Sequence, residues 1–240
     1  MKKLLLLSLL CMGLTTITLF AQNNRIKGSG NITKESRTVG DFTGVSVGGS
    51  MIVIIKSGME QSVIVETDDN LQEYLETTTK DGQLIISNKK TWNLSYSKSA
   101  TVYITTPVLD KARLSGSGSI LTEGVMKSSG KFEASISGSG NIDASIDASE
   151  TLVNISGSGN IQLDGKTEAL NVAISGSGSF KGYELAANKI SARITGSGNV
   201  QTTAKGKLEA SIAGSGNVYY KGTGEVTSRT AGSGKVKNVN

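Results

Sequence analysis

Histidine is absent from this 240-residue chain, and cysteine and proline occur once each, as Cys11 and Pro107. Without histidine and with one cysteine, the usual nucleophilic triads and dyads cannot be built, nor can a Cys/His zinc site. A disulfide framework is excluded as well, so stability must come from packing and backbone pairing. Charge of one sign is also scarce: 25 basic residues face 20 acidic ones, and the signs alternate along the chain. No basic block marks a nucleic-acid footprint or a polybasic membrane patch.

Long apolar runs are confined to the N-terminus. Lys2 and Lys3 precede Leu4–Leu10, and the run ends near Leu19-Phe20-Ala21, the layout of a secretory signal peptide. Residues 1–21 are therefore expected to be a leader, with cleavage after Ala21. Lipidation at Cys11 is a rival reading, but Ser8-Leu9-Leu10 lacks the small residue expected ahead of a lipidated cysteine, and an uncleaved anchor is another. Loss of Lys2 and Lys3 lowers the net charge from +5 to +3. In the mature chain no stretch approaches the roughly 18 apolar residues of a membrane-spanning helix. Export to the periplasm, the outer-membrane surface or the exterior is expected.

What the chain has in abundance is a repeat. Gly-Ser-Gly occurs eight times; from Gly116 it restarts at Gly138, Gly157, Gly176, Gly196, Gly214 and Gly232, in steps of 22, 19, 19, 20, 18 and 18 residues. An earlier copy begins at Gly28, and a degenerate one, Gly49-Ser50-Met51, follows it. A fixed short period means one supersecondary unit stacked on copies of itself. Two residues before each first glycine stand Leu114, Ile136, Ile155, Ile174, Ile194 and Ile212; four after stand Ile120, Ile142, Ile161, Phe180, Val200 and Val218. These even offsets share one face of a strand, and the serines at odd offsets face the other way. Asp164-Gly165, Lys181-Gly182, Lys205-Gly206 and Lys221-Gly222 read as bends tolerant of positive φ.

The pattern predicts an all-β parallel β-solenoid with coils of about 19 residues, where like residues stack; an array of antiparallel hairpins shares the period and is the structural alternative. Gly138, Gly140, Gly157, Gly159, Gly196, Gly198, Gly214 and Gly216 read as corner residues, and Asn141, Asn160, Asn199 and Asn217 as partners of local backbone or of one another across coils. A phosphate-cradling loop would need a following helix and a lysine, which are missing. Residues 22–240 are read as one solenoid domain: irregular coils over 22–110, and regular repeats over 111–240 ending in a polar coil at Ser228 and Thr230. In the irregular part, Val45–Ile55, Ser62–Thr67, Gln83–Ser87 and Thr101–Thr106 read as strands. Asp69–Glu76 reads as one or two helical turns with Asp near the N-cap, and Asn88–Ser99 as a loop.

Val47-Gly48-Gly49-Ser50 after Phe42, the Leu84-Ile85-Ile86 strand and the recurrent Gly-Ser-Gly-Asn-Ile resemble the auto-transporter adhesin head domain, or GIN domain, over roughly residues 42–240. The resemblance implies a right-handed parallel β-helix at the envelope or outside the cell. It brings no catalytic or binding residues, and the chain lacks the translocator barrel of a true autotransporter.

For function, a non-enzymatic adhesin or surface-interaction module is the leading expectation, with no cofactor, metal or nucleic-acid partner. Surface glycans or envelope proteins are the expected partners, and Trp92, Tyr96, Tyr219 and Tyr220 the candidate contacts, because an aromatic ring offers apolar area with a polar edge. The same rings could instead fill irregular coils. A carbohydrate-active β-helix enzyme using Asp143, Asp147 and Glu150 is the alternative, and a periplasmic structural or sensing accessory a third reading.

Overall fold

Aliphatic side chains at every even offset, punctuated by paired glycines, fold into a β-solenoid of about seven turns with coils about 19 residues apart. The computed structural model describes residues 25–89 and 92–240; the expected leader, with Cys11, lies outside the described residues. The strands are β1 (Arg25–Lys27), β2 (Ile32–Ser36), β3 (Gly44–Gly49), β4 (Ile52–Ser57) and β5 (Ser62–Asp68). After a 3-10 helix over Asp69–Tyr74 come β6 (Leu75–Lys80), β7 (Gln83–Asn88), β8 (Asn93–Ser95) and β9 (Thr101–Thr106). The repeats supply β10 (Lys111–Gly116), β11 (Ser119–Lys127), β12 (Lys131–Gly138), β13 (Asn141–Gly157) and β14 (Asn160–Gly176). The stack closes with β15 (Ser179–Gly196), β16 (Asn199–Gly214), β17 (Asn217–Lys221), β18 (Glu225–Gly232) and β19 (Lys235–Asn238).

From β10 onward every described pairing is parallel, and the strands entering the corners are in register, so Gly138 lies between Gly116 and Gly157, and Ile155 between Ile136 and Ile174; register shifts are confined to the far arms of β11–β13, β14–β15 and β15–β16. This disposes of the hairpin array for the repeats. Leu114, Ile136, Ile155, Ile174, Ile194 and Ile212 form one buried column, each side chain contributing about 1.5–3 kcal/mol through removal from water. Within β14 the alternation slips: Thr167 is buried and so is Leu170, an odd spacing that turns the strand around a corner.

The four glycines expected at bends divide into two kinds. Gly165 and Gly222 do have positive φ, 106° and 99°. Gly182 and Gly206 do not; they are small because a Cβ would meet the Phe180 ring or the Asn188 carbonyl.

The N-terminal part departs from the expected run of irregular coils. Val45–Ile55 is not one strand but two, broken at Gly49 (φ 97°), so the degenerate copy Gly49-Ser50-Met51 is a corner and β3–β4 is a genuine coil. That coil is sandwiched: β3 pairs with β7 on one side and β10 on the other, β4 with β9 and β11. Antiparallel strands then close this end, β6 on β7, β5 on β9 and β2 on β5. The β6–β7 hairpin has a physical cause in Asp81-Gly82, both at positive φ (51° and 70°), the two-residue turn that suits strand twist. The expected loop at Asn88–Ser99 contains β8, which pairs with β1.

The first Gly-Ser-Gly copy, at Gly28, is not stacked with the others. It wraps the 3-10 helix instead: Ser29 N donates to Asn70 Oδ1 (2.9 Å), Gly30 N to Asp68 Oδ1 (2.8 Å) and Asn31 Nδ2 to Asp69 Oδ2 (2.8 Å). The N-cap is Asp68, and its carboxylate makes no cap bond within the helix, being taken by Gly30 and Ser97.

Candidate functional site

Each regular coil is turned by the same three residues, and the turn decides which side chains reach solvent. Gly138, Gly157, Gly196 and Gly214 have φ between 118° and 130°, a region L side chains rarely occupy. A Cβ on Gly157 would also lie 2.5 Å from the Gly138 carbonyl oxygen. The second glycines face inward: on Gly159 or Gly198 a Cβ would meet the Cγ2 of Ile136 or Ile174 at 2.6 Å, and Gly140 and Gly216 approach Leu114 and Ile194 in the same way. At the Gly157 corner both amides are used, since Ser158 N and Gly159 N donate to the Gly138 carbonyl at 3.0 Å. Such a corner has no amides left to cradle a phosphate.

Beside the corner runs a column of Ser119, Asn141, Asn160, Ser179, Asn199 and Asn217. Asn160 Nδ2 donates to Asn141 Oδ1, and Asn217 Nδ2 to Asn199 Oδ1, each at 3.2 Å; Ser179 separates the two pairs.

On the strand entering each corner, the outward residues make a flat exposed face. One column reads Ser115, Ser137, Ser156, Ser175 and Thr195, then Ala213 and Ala231. The next reads Arg113, Ser135, Asn154, Ala173, Arg193, Ser211 and Arg229. Between them lies a groove of about 530 Å³ bounded by Arg113 and Arg193; on the other side of the arginine column a second, of about 320 Å³, is lined by Arg193, Arg229, Ser191, Glu209 and Thr227. The two carboxylates at their edges are already matched. Glu133 accepts from Arg113 at 2.8 Å and lies 3.8 Å from Lys111; burial pushes its carboxyl up, but the Arg113 and Ser135 hydrogen bonds outweigh that and hold it below its usual value. Glu209 is held by Lys207 at 2.6 Å.

The four aromatic candidates do not converge. Trp92 is 37% exposed and meets Tyr74 edge-on at 5.6 Å. Tyr96 packs against the core and donates to Asn88 Oδ1 at 2.6 Å; burial pushes its phenol up to about 12 against the pull of that bond. Tyr219 and Tyr220 lie on β17, seven ladder steps from β9, or roughly 34 Å at the spacing of paired strands. Being consecutive in a strand they face opposite ways, and Tyr220 packs against the core. The carboxylates Asp143, Asp147 and Glu150 share β13 but sit in separate ladders. Asp147 stands between Lys127 and Lys166, and Glu150 is 3.9 Å from Lys131 and accepts from Asn171.

The sequence matches the family model described as "Putative auto-transporter adhesin, head GIN domain" over residues 41–224. The chain belongs to this family. Solved structures agree in fold. A "putative adhesin" from Bacteroides fragilis superposes with a TM-score of 0.84 at 22% identity, covering 89% of this chain and all of that one. A "putative lipid binding protein" from Parabacteroides distasonis gives 0.77 at 25% identity over 90% of this chain and all of its own. A "putative adhesin" from the same organism gives 0.73 at 24% identity with the same coverage. No curated protein matches the chain.

In this GIN domain the residues that sequence reasoning passed over are Arg113, Arg193 and Arg229. Each lies three positions before a first glycine, so the signal was present in the repeat phase. It was hidden because that column is Ser, Asn or Ala in the intervening coils. Tyr74 and Tyr183, the neighbours of Trp92 and Lys221, carried no such signal.

Proposed function

We propose that this GIN domain is a non-enzymatic surface-interaction module of the adhesin type, exported to the cell envelope or beyond it. One observation carries the reading: an exposed sheet face in register over seven coils from Arg113 to Arg229, with a hydroxyl column over five of them from Ser115 to Thr195. Such a face offers small polar groups at many of its steps along one axis, which suits a repetitive partner bound through many weak contacts. Surface glycans are the partners it fits, with envelope proteins second. The family description supports an adhesive role. Of the carboxylates required by the enzymatic alternative, Asp147 and Glu150 lie beside lysines and Asp143 between Leu121 and Gln162, each in its own ladder along β13. The lipid-binding name of one structural relative finds little support here, because the core columns are filled by side chains such as Phe132 and Phe180, each fully buried, leaving an acyl chain no interior to enter.

The test is retention of the fluorescently labelled chain 22–240 on intact cells and mucin-coated surfaces, together with fractionation and protease shaving of the producing cell. Binding to such surfaces and a shaved, envelope-associated pool are expected. Absence of retention on all of them, or a protein that stays protected inside the cell, overturns the proposal.

A further inference from the structure

Resting on that reading, we infer that the arginine column is a binding track for a linear glycan bearing carboxylates, laid parallel to the solenoid axis. Arg193 and Arg229 are exposed and make no ion pair within 4.0 Å among the described residues. Of the nearby carboxylates, Glu133 is bound by Arg113 and Lys111, and Glu209 by Lys207 with a weaker attraction from Arg229. Arg193 and Arg229 thus line one groove without a direct ion pair, and a guanidinium fork matches a carboxylate in a bidentate way that a lysine does not.

The spacing names the polymer class. In the column Arg113, Ser135, Asn154, Ala173, Arg193, Ser211, Arg229, the arginines are four steps and then two steps apart. At the spacing of paired strands this is about 19 Å and about 10 Å. Every interval is an even number of steps. In an extended ribbon-like glycan successive sugars flip, so substituents on one side of the chain recur on every second ring, and one ladder step is close to the rise of one ring. A polyuronate lying along the column therefore presents a carboxylate to each arginine. Between the arginines, Ser135 and Asn154 and the parallel column Ser137, Ser156 and Ser175 offer small hydrogen-bonding groups that leave room for the rings. Arg113, already shared with Glu133, marks the far end of the track and is the weaker contact.

The experiment is calorimetric or biolayer titration of the full chain with polymannuronate oligomers, with the same oligomers after carboxyl reduction, and with added salt. Saturable binding of the acidic oligomer is expected, weakening as salt rises, with the reduced oligomer at least about tenfold weaker. Arg193→Ala/Arg229→Ala should lose about tenfold or more, and Arg193→Lys/Arg229→Lys should fall between the two, all with unchanged melting temperature because both side chains are on the surface. Equal affinity for acidic and reduced oligomers, no binding of either, or an undiminished double alanine variant overturns the assignment. Retention on cells or mucin alongside any of those outcomes removes only the arginine track; loss of retention as well removes the adhesive reading with it.

Discussion

A Cβ placed on Gly182 would stand 2.5 Å from Cζ of Phe180, two residues earlier on the same inward face of β15. Phe180 occupies a column that is Ile161 in the preceding coil and Val200 in the following one. Its ring needs more volume than either, and the missing side chain at 182 supplies it. Gly182→Ala should destabilise by about 1–3 kcal/mol through overpacking. In Phe180→Val the added methyl has somewhere to go, so the double variant should cost less than the sum of the single ones. Urea unfolding of the four proteins measures this coupling, and simple additivity would show that the ring and the glycine are independent.

Corner glycines and loop glycines are expected to differ in what alanine costs. Gly30 has φ 88° with nothing among the described residues within 4 Å of a Cβ, whereas Gly157 has φ 118° and a Cβ there meets the carbonyl of Gly138. Gly30→Ala bears only backbone strain, about 1–2 kcal/mol. Gly157→Ala adds a collision with rigid backbone in the next coil and should exceed about 3 kcal/mol. Thermal melts of the two variants decide it; equal losses would mean that the coils part easily at their corners.

The repeat phase made the solenoid legible because stacking demands identity: residues at one offset meet their own kind one coil away, so periodic Ile, Gly and Asn appear in the sequence as a period. The N-terminal end was illegible for the opposite reason. Its strands β2, β5 and β6 pair antiparallel with partners of unlike sequence, so nothing recurs, and Asp81-Gly82 was the one local cue to a hairpin. The Gly28 copy shows the limit of motif reading, since the same tripeptide that turns a coil elsewhere holds a 3-10 helix here. The arginine track was written in phase but diluted by small residues, and only the register assembles it.

Asp68 provides a pH-dependent prediction. It is fully buried; burial pushes its carboxyl up, but the Ser97 hydroxyl, Ser97 N (3.0 Å) and Gly30 N (2.8 Å) outweigh that and hold it below the ordinary 3.8. Asp110 is depressed likewise, burial being outweighed by Ser129 N (2.7 Å) and the hydroxyls of Ser129 (2.8 Å) and Ser128 (2.9 Å). A depressed folded value means that the unfolded chain binds the proton first as pH falls. The stabilisation is therefore complete above the ordinary carboxyl range and is lost as pH drops from about 4 through the lower folded values. Asp68→Asn should cost about 2 kcal/mol at neutral pH, since an amide cannot accept all three bonds, and should flatten the loss of stability below pH 4. Melting temperatures of both proteins from pH 7 to pH 2.5 test this, and parallel curves would assign the acid sensitivity elsewhere.

Two buried threonines should respond in opposite directions to the same change. Thr202 on β16 is fully buried, and its hydroxyl has no partner among the described residues. Thr167 is also buried, but its hydroxyl accepts from Thr151 and donates to the Ala169 carbonyl, both at 3.0 Å. Valine keeps the branched shape and removes only the oxygen. At 202 that deletes an uncompensated polar group, and Thr202→Val should stabilise by about 1 kcal/mol. At 167 it leaves the Thr151 hydroxyl without its acceptor, and Thr167→Val should destabilise by about 1–2 kcal/mol. Denaturant midpoints of the two variants against the parent provide the check. A stabilised Thr167→Val would show that the hydroxyl pair contributes nothing, and a destabilised Thr202→Val would mean that the Thr202 hydroxyl is satisfied in solution.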